Sequence, residues 1–481
     1  MTTERGITVK KSEDFSEWFT QVITKAGLCD YAGIKGFIVF MPYSYEIWEN
    51  IRKFLDEKLK ATGHRNAYFP ALIPESYLKK EAEHFSGFVP EVFWVTHTGD
   101  SELGERLAMR PTSETIVCDS YSRWIKSWRD LPVLINLWNS VFRAEITATK
   151  PFLRTSEFLW QEGHTAHATA EEAEKEVHGI LEFYRQLVEE QLAIPILLGA
   201  KTQAEKFVGA DYTLTMEAMM PDGKALQMGT SHFLGQNFSK PFEIKYLGKD
   251  EKDHYVWQTS WGVTTRMIGA VVMVHGDDKG LVLPPRIAPI QTVIVPIYYK
   301  DEDRERVLGK ANEIAKLLRD HGIATHLDDR TEYTPGWKFN EWEMKGVPTR
   351  IEIGPRDIAV GQVVVSRRDT GEKSEVKASA LPQGITEILE SIQAGLYAKA
   401  KRQLEQNVRT ARSYGEFMQI LETVGGFVRA CWCGSPECEA KIKQETGATI
   451  RTVPLKREQV FDDCIICRRD AKDVVYFARA Y

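Results

Sequence analysis

A chain of 481 residues, 43% hydrophobic and 27% charged, has the length and composition of two to four ordinary globular domains. Its net charge of −6 argues against sequence-blind coating of DNA, while local basic patches leave RNA open as a partner. No apolar run reaches the length needed to cross a bilayer and the first residues lack a secretory segment, so a cytoplasmic protein without membrane contact is expected.

The spacing of apolar residues predicts helices over 14–30 and 44–61, the second closed by Gly63. Residues 67–74 read as an extended strand interrupted by Pro70, and so placed at an edge or interface. A hairpin over 91–110 turns near Gly99, and a helix follows over 113–128. Two strands occupy 133–164, joined by a loop at 148–151. Thr169 and Glu172 form a capping box for a helix with Val177, Ile180, Leu181 and Tyr184 on one stripe. Strands at 211–217, 226–234 and 256–261 lead to a helix over 264–274. The proline-rich run from Leu283 to Pro289 marks a boundary. Beyond it, strand 292–298, helix 303–321, strand 323–328, helix 336–346 and strand 349–353 alternate as in an α/β domain. A hairpin over 358–377 and a basic amphipathic helix over 386–412 lead into the tail.

Five of the seven cysteines lie in that tail: Cys431, Cys433, Cys438, Cys464 and Cys467. Without an export signal, this clustering favours metal over disulfides. Cys433-x4-Cys438 and Cys464-x2-Cys467 suit one tetrahedral Zn²⁺ with no open position, hence a structural site, and Cys431 is an alternative ligand two residues from Cys433.

The densest chemistry is the run from Phe142 to His164. Arg143 and Arg154 can grip phosphate or carboxylate through a planar, always charged fork, and Phe158 can stack on a base. Alone, Arg143 and Glu145 read equally as a surface ion pair. Thr112 and Glu114 pair a hydroxyl with a carboxylate, which suits an ammonium ligand. Gln227, Thr230 and His232 add polar groups. Thr264 and Arg266 open a helix, where backbone donors and the dipole favour phosphate.

Together these motifs resemble class II aminoacyl-tRNA synthetases, and specifically prolyl-tRNA synthetases of the archaeal and eukaryotic type. Phe-Arg143-x-Glu145 with Arg154-x-x-x-Phe158 is similar to motif 2, Gly-Val-Thr-Thr-Arg266 to motif 3, and Gly63 through Pro70 to motif 1. Arg-Pro-Thr-Ser-Glu114 and Trp160-Gln-Glu162-Gly-His164 resemble the prolyl-specific elements, and the similarity covers nearly the whole chain. The fold implied is α+β and α/β multidomain: an antiparallel-sheet class II catalytic core with flanking helices over 1–284, an α/β anticodon-binding domain over 287–400, and a small zinc-containing domain over 401–481.

The resemblance implies a proline–tRNA ligase acting on proline, ATP and tRNA(Pro). Arg143 would bridge the substrate carboxylate and the α-phosphate, and Arg154 would hold the outer phosphates. Glu145 would accept from the adenine amino group, with Phe158 and Arg266 sandwiching the ring. Gln227, Thr230 and Thr264 would contact ATP, whose pyrophosphate leaving group calls for Mg²⁺. Thr112 and Glu114 would take the secondary ammonium of proline, and Trp160, Glu162, His164 and His232 would wall its ring. Such a pocket discriminates weakly against smaller side chains, so misactivation of alanine and cysteine is expected.

Only residues 165–263 separate motifs 2 and 3, too few for an editing insertion beside the core elements. Gly336 through Arg350 resembles part of the anticodon domain shared with threonyl-, histidyl- and glycyl-tRNA synthetases, with Glu343 and Arg350 as candidates for reading guanine. Pro70 is expected at a homodimer interface, and the terminal carboxylate of Tyr481 near the active site. Two rivals are a non-catalytic synthetase-like RNA-binding regulator and a small-molecule amide ligase. The first would have lost the phosphate arginines, which are all here. The second has no use for an anticodon-type domain.

Overall fold

The computed structural model describes residues 6–84, 91–146 and 148–481. The opening residues read above for an export signal, 1–5, lie outside that description. Its backbone is an eleven-stranded sheet. From one edge to the other the strands are Val408–Thr410, Phe427–Trp432, Asp473–Ala478, Thr449–Pro454, Leu197–Ala200, Tyr212–Met219, Ala225–Gly235, Trp257–Thr264, Glu157–His167, Val133–Phe142 and Arg65–Asn66. All neighbours are antiparallel except the pairs at the two edges.

One face of the sheet's middle is covered by the helix Ala170–Gln186, whose Val177, Ile180, Leu181 and Tyr184 are buried. Each such side chain contributes about 1.5–3 kcal/mol by leaving water. The Thr169 hydroxyl caps this helix, accepting from the N–H of Glu172 at 3.2 Å. The other half of the expected capping box is displaced by one residue, because the Glu172 carboxylate accepts from the N–H of Ala168 at 3.2 Å. Trp261 points to this covered face and lies over Gly163, where a Cβ would come within 2.0 Å of the indole. Gln161 and Ser231 also point to this face, where Gln161 accepts from the Tyr184 hydroxyl at 2.6 Å and Ser231 donates to the Val177 carbonyl at 2.9 Å.

A second sheet of five strands, in the order Thr325–Leu327, Thr292–Pro296, Thr349–Ile353, Gln362–Arg367 and Lys373–Lys377, forms an α/β unit. Its first three strands are parallel and the last two antiparallel. The helix Asp301–Asp320 packs Val307, Ile314 and Leu318 into its core.

Several expected elements are corrected. The first helix is only Phe15–Lys25, capped by Asp14. Gly27, at φ +71°, turns the chain into the strand Cys29–Tyr31. Residues 67–74 are not one strand: Arg65–Asn66 joins the large sheet, Leu72–Pro74 joins a three-stranded sheet, and exposed Pro70 lies between them. The 358–377 hairpin starts late, because Asp357 accepts from the Gly354 N–H and caps a short helix Pro355–Val360. The basic helix runs over Leu381–Gln406, and Val408–Thr410 is a strand. The tail supplies four strands of the large sheet, joined to the rest where Val453 pairs with Ala200 and Pro454 with Gly199.

Candidate active site

Strand register turns a linear list of polar residues into a grid. His164 pairs with Ser260, Ser260 with His232, and His232 with Thr213. One step along, Glu162 pairs with Gly262 and Gly262 with Thr230; a further step brings Trp160 opposite Thr264. Alternate residues on a strand share a face, so Trp160, Glu162 and His164 point together. Trp160 and Glu162 line a cavity of about 810 Å³ with Thr112, Glu114, Arg143, Arg154, Phe158 and Arg266, while His164 is not in the lining and touches it only through Glu162.

At one end, Glu162 is 2% exposed and fully engaged. Its carboxylate accepts from the Ser113 hydroxyl, the Ser113 N–H at 3.2 Å, Asn139 Nδ2 at 3.0 Å and His164 Nε2 at 3.0 Å. Asn139 also accepts from Trp160 Nε1 at 2.5 Å, so one amide fixes both the indole and the carboxylate. Thr112 donates to Glu114, beside this cluster. Ser113 and Asn139 were not singled out from sequence. The readable signal was Asn139 itself, an amide beside Ser140 in the mostly apolar run from Leu137 to Phe142.

Burial opposes charge on both Glu162 and His164, but each supplies the other with a hydrogen bond and an opposite charge. The net result holds Glu162 below its ordinary 4.5 and His164 above its ordinary 6.5. The Glu162 contribution to stability is present above 4.5 and is lost as pH falls through its folded value. The His164 contribution is present below 6.5 and is lost as pH rises through its folded value. The melting-temperature advantage of the native chain over His164→Asn is therefore expected to peak between pH 4.5 and 6.5; an advantage independent of pH from 4 to 9 contradicts the pairing. His232 is different. Burial, then the charge of His164, pushes it to about 3, so it is neutral, held between Thr213 at 2.9 Å and Thr230 at 3.0 Å.

At the other end, the N–H of Arg143 donates to Ser156 at 2.7 Å, which sets the residue just past its strand. Its guanidinium carbon lies 5.7 Å from the Phe158 ring centroid. Arg266 opens the helix Arg266–His275. Thr264 accepts from its N–H at 3.0 Å, and its guanidinium donates to the Gln227 carbonyl at 3.2 Å. Burial, then the Arg143 charge, pulls Arg266 down to about 10. Arg143 Nε and Arg266 Nε are both buried without a partner. Two half-buried, mutually repelling cations, each with a buried and unused Nε donor, are a site suited to an anion. Glu145 and Arg154 are exposed at the rim, and Gln227, Thr230 and Thr264 line the wall.

Tyr481 reaches the same cavity. Its ring lies 4.7 Å from Lys150 Nζ and 5.0 Å from Lys224 Nζ, and its hydroxyl donates to Asp222 at 2.6 Å.

The remaining sequence candidates lie elsewhere. Glu343 pairs with Lys279 at 2.9 Å, while Arg350 pairs with Glu352 at 2.8 Å and lies 4.0 Å from the Phe339 ring. Pro70 is exposed beside Tyr68, which is 71% exposed. Cys433, Cys438, Cys464 and Cys467 bring their sulfurs within 4.8 Å of one another; Cys431 is buried outside this group.

An antiparallel sheet with paired arginines over one face and an α/β unit beside it defines a class II aminoacyl-tRNA synthetase, a ligase. Family models agree: the tRNA synthetase class II core domain (G, H, P, S and T) matches 93–275, the anticodon binding domain 291–388, and the prolyl-tRNA synthetase C-terminal model 414–481. The chain is 58% identical to the proline–tRNA ligase of Cenarchaeum symbiosum (strain A), with 99% of each protein covered. It is 52% identical to proline–tRNA ligase 2 of Clostridioides difficile (strain 630), over 98% of this chain and 97% of that protein. The chain belongs to the prolyl-tRNA synthetase family.

Proposed function

We propose that the chain is a proline–tRNA ligase. The proline carboxylate attacks the α-phosphorus of ATP, a new C–O–P link forms, and the bond to pyrophosphate breaks. A ribose hydroxyl at the tRNA 3′ end then attacks the prolyl carbonyl and AMP leaves. The supporting observation is the placement of Arg143 and Arg266, each with an unpartnered buried Nε, in one cavity with Thr112, Glu114 and Glu162.

Arg143 bridges carboxylate and α-phosphate, aligning them and offsetting charge as the five-coordinate phosphorus forms. Arg266 and Phe158 enclose adenine, Glu145 accepts from its amino group, and Arg154 holds the outer phosphates, with Gln227, Thr230 and Thr264 completing the ATP contacts. Glu114 and Thr112 take the secondary ammonium. Trp160, Glu162, His164 and His232 wall the ring. Neutral His232 suits that wall, since a charged one would repel the ammonium. With the cavity's phosphate end occupied by arginines, Mg²⁺ would be held mainly by phosphate oxygens and water, neutralising pyrophosphate. In the α/β unit, Arg350 and Glu343 are proposed to read guanine. Pro70 is proposed to lie in a homodimer interface, supported by its exposure next to Tyr68. The chain end at Tyr481 is proposed to place its carboxylate by the reacting groups. A cytoplasmic location goes with this reading; among the described residues no helix is long and apolar enough to cross a membrane.

Proline-dependent pyrophosphate exchange and then charging of total tRNA test the function. Exchange driven by another amino acid but not by proline overturns it. Alanine and cysteine are proposed to be misactivated, because each missing methylene costs only about 1–3 kcal/mol of discrimination. No editing in cis is proposed, because residues 165–263 are taken up by strands of the large sheet, their connections and one covering helix. Exchange with neither alanine nor cysteine contradicts the first point.

The four clustered cysteines fit structural Zn²⁺. Sulfurs at 2.3 Å from a tetrahedral zinc stand roughly 3.8 Å apart. Cys433 lies 3.8 Å from Cys438 and 3.7 Å from Cys467. Arg469 donates to Cys467 at 3.4 Å and brings that thiol down to about 6, whereas burial holds Cys433 and Cys438 above their ordinary 9.0. The expected stoichiometry in native protein is about one zinc per chain, falling sharply in Cys464→Ser but not in Cys431→Ser.

A further inference from the structure

A basic pocket of about 610 Å³ lies on the C-terminal unit, lined by residues distinct from those of the cavity above. Arg412, Arg429, Lys456 and Arg457 line it with Glu458 and Phe461. Four cations line it with one carboxylate, Asp473 standing 3.8 Å from Arg457, a positive patch in a chain whose net charge is −6.

The pocket is held together from three elements. Arg429, on the strand Phe427–Trp432, donates to Glu458 at 2.6 Å, and the Tyr476 hydroxyl from the neighbouring strand donates to the same carboxylate at 2.6 Å. These bonds fasten the connection after Thr449–Pro454 to the sheet and engage the pocket's acid. The Arg412 and Arg429 guanidiniums then gather on one ring, 5.1 and 4.6 Å from the Phe461 centroid. Arg468 donates to the Arg412 carbonyl at 3.1 Å, which ties the group to the cysteine-rich turn. Like charges drawn together on one ring are relieved by an anion between them. With guanidiniums already on the ring, the chemistry on offer is gripping phosphate rather than stacking a base. The helix Leu381–Gln406 connects this unit directly to the α/β unit that matches the anticodon binding model, and its buried Leu381, Ile385 and Leu389 sit in that unit's core.

We propose that this pocket grips the phosphodiester backbone of the tRNA substrate. The inference rests on the tRNA-charging function proposed above. It makes the C-terminal unit a tRNA contact as well as a brace for the sheet.

The test is the triple variant Arg412→Ala, Lys456→Ala, Arg457→Ala, which leaves the Arg429–Glu458–Tyr476 bonds in place. Proline-dependent pyrophosphate exchange needs no tRNA and is expected to be unchanged; its absence in the native enzyme would instead overturn the function itself. In charging assays the KM for tRNA is expected to rise roughly 10-fold. The slope of log KM against log salt is expected to fall by about 2–3, since each of the three lost phosphate contacts removes roughly 0.7–0.9. An unchanged KM and slope overturns the proposal. Should the variant fold poorly, native enzyme supplies the answer: tRNA is expected to protect Lys456 from acetylation, whereas inorganic phosphate or ATP at the same phosphate concentration protects it weakly. Equal labelling of Lys456 with and without tRNA overturns it, as does full protection by free phosphate.

Discussion

Arg143→Ala is expected to lower proline-dependent pyrophosphate exchange by about 10³-fold or more, while the unliganded protein melts no earlier than the native chain. Both halves follow from the same geometry. Loss of a single donor aimed at developing charge costs about 10²–10³ in kcat, and Arg143 is proposed to serve two groups at once, aligning the carboxylate as well as neutralising the phosphate. Its Nε has no partner in the protein and its charge acts against Arg266. Removing it relieves that repulsion, so function and stability move in opposite directions. Arg143→Lys keeps the charge but loses the two-pronged fork, and is expected to fall between the two. The loss belongs in kcat more than in KM for either substrate, because the bridging contact is worth most when charge develops. A loss under 10-fold, or one matched by a collapse in melting temperature, contradicts this role.

What could be read from the sequence was what is local in the chain. The run from Arg143 to His164 holds its chemistry within about two dozen residues, and alternation along one strand places Trp160, Glu162 and His164 on a common face. Thr112 and Glu114 were legible for the same reason. The partners that fix them were not: Ser113 and Asn139 reach Glu162 across 49 and 23 residues, and only the fold brings them there. The C-terminal strands were missed for a different reason. Five of the six residues in Phe427–Trp432 are buried, which erases the two-residue alternation that announces a half-exposed strand. In the α/β unit, strands and helices alternate with clear period changes, and Thr349–Ile353 came out residue for residue. The first helix was read too long because Gly27 turns the chain just after it, and the short helix that Asp357 caps was missed because it is only six residues long.

The joint between the C-terminal unit and the rest of the sheet leads to the second large effect. Glu217 is fully buried and accepts from Lys201 Nζ at 2.6 Å and from Arg451 Nε at 3.0 Å; Lys201 also donates to the Arg451 carbonyl at 3.0 Å. Arg451 comes from 234 residues away, on the strand that joins the two parts of the sheet. Two cations share one carboxylate out of water, and burial already pulls Lys201 below its usual value. Glu217→Gln keeps the shape and removes the only negative charge of this triad, leaving two buried cations uncompensated, so a destabilisation of about 3–5 kcal/mol is expected. That is a large share of the roughly 5–15 kcal/mol that holds a domain folded. Adding Lys201→Met and Arg451→Met to Glu217→Gln is expected to recover much of it, because replacing a whole buried ion cluster with apolar side chains costs little compared with orphaning a member. Denaturant midpoints of the native chain, Glu217→Gln, Lys201→Met with Arg451→Met, and the combined triple variant form the cycle. Lys201 and Tyr481 both line the cavity, and Tyr481 enters it on the same unit. The single variant is therefore expected to lose exchange activity at denaturant concentrations that leave the α/β unit folded, and the apolar triple variant to regain it. Equal stability in Glu217→Gln and the native chain, or a triple variant no better than the single, would show that strand pairing alone holds the joint.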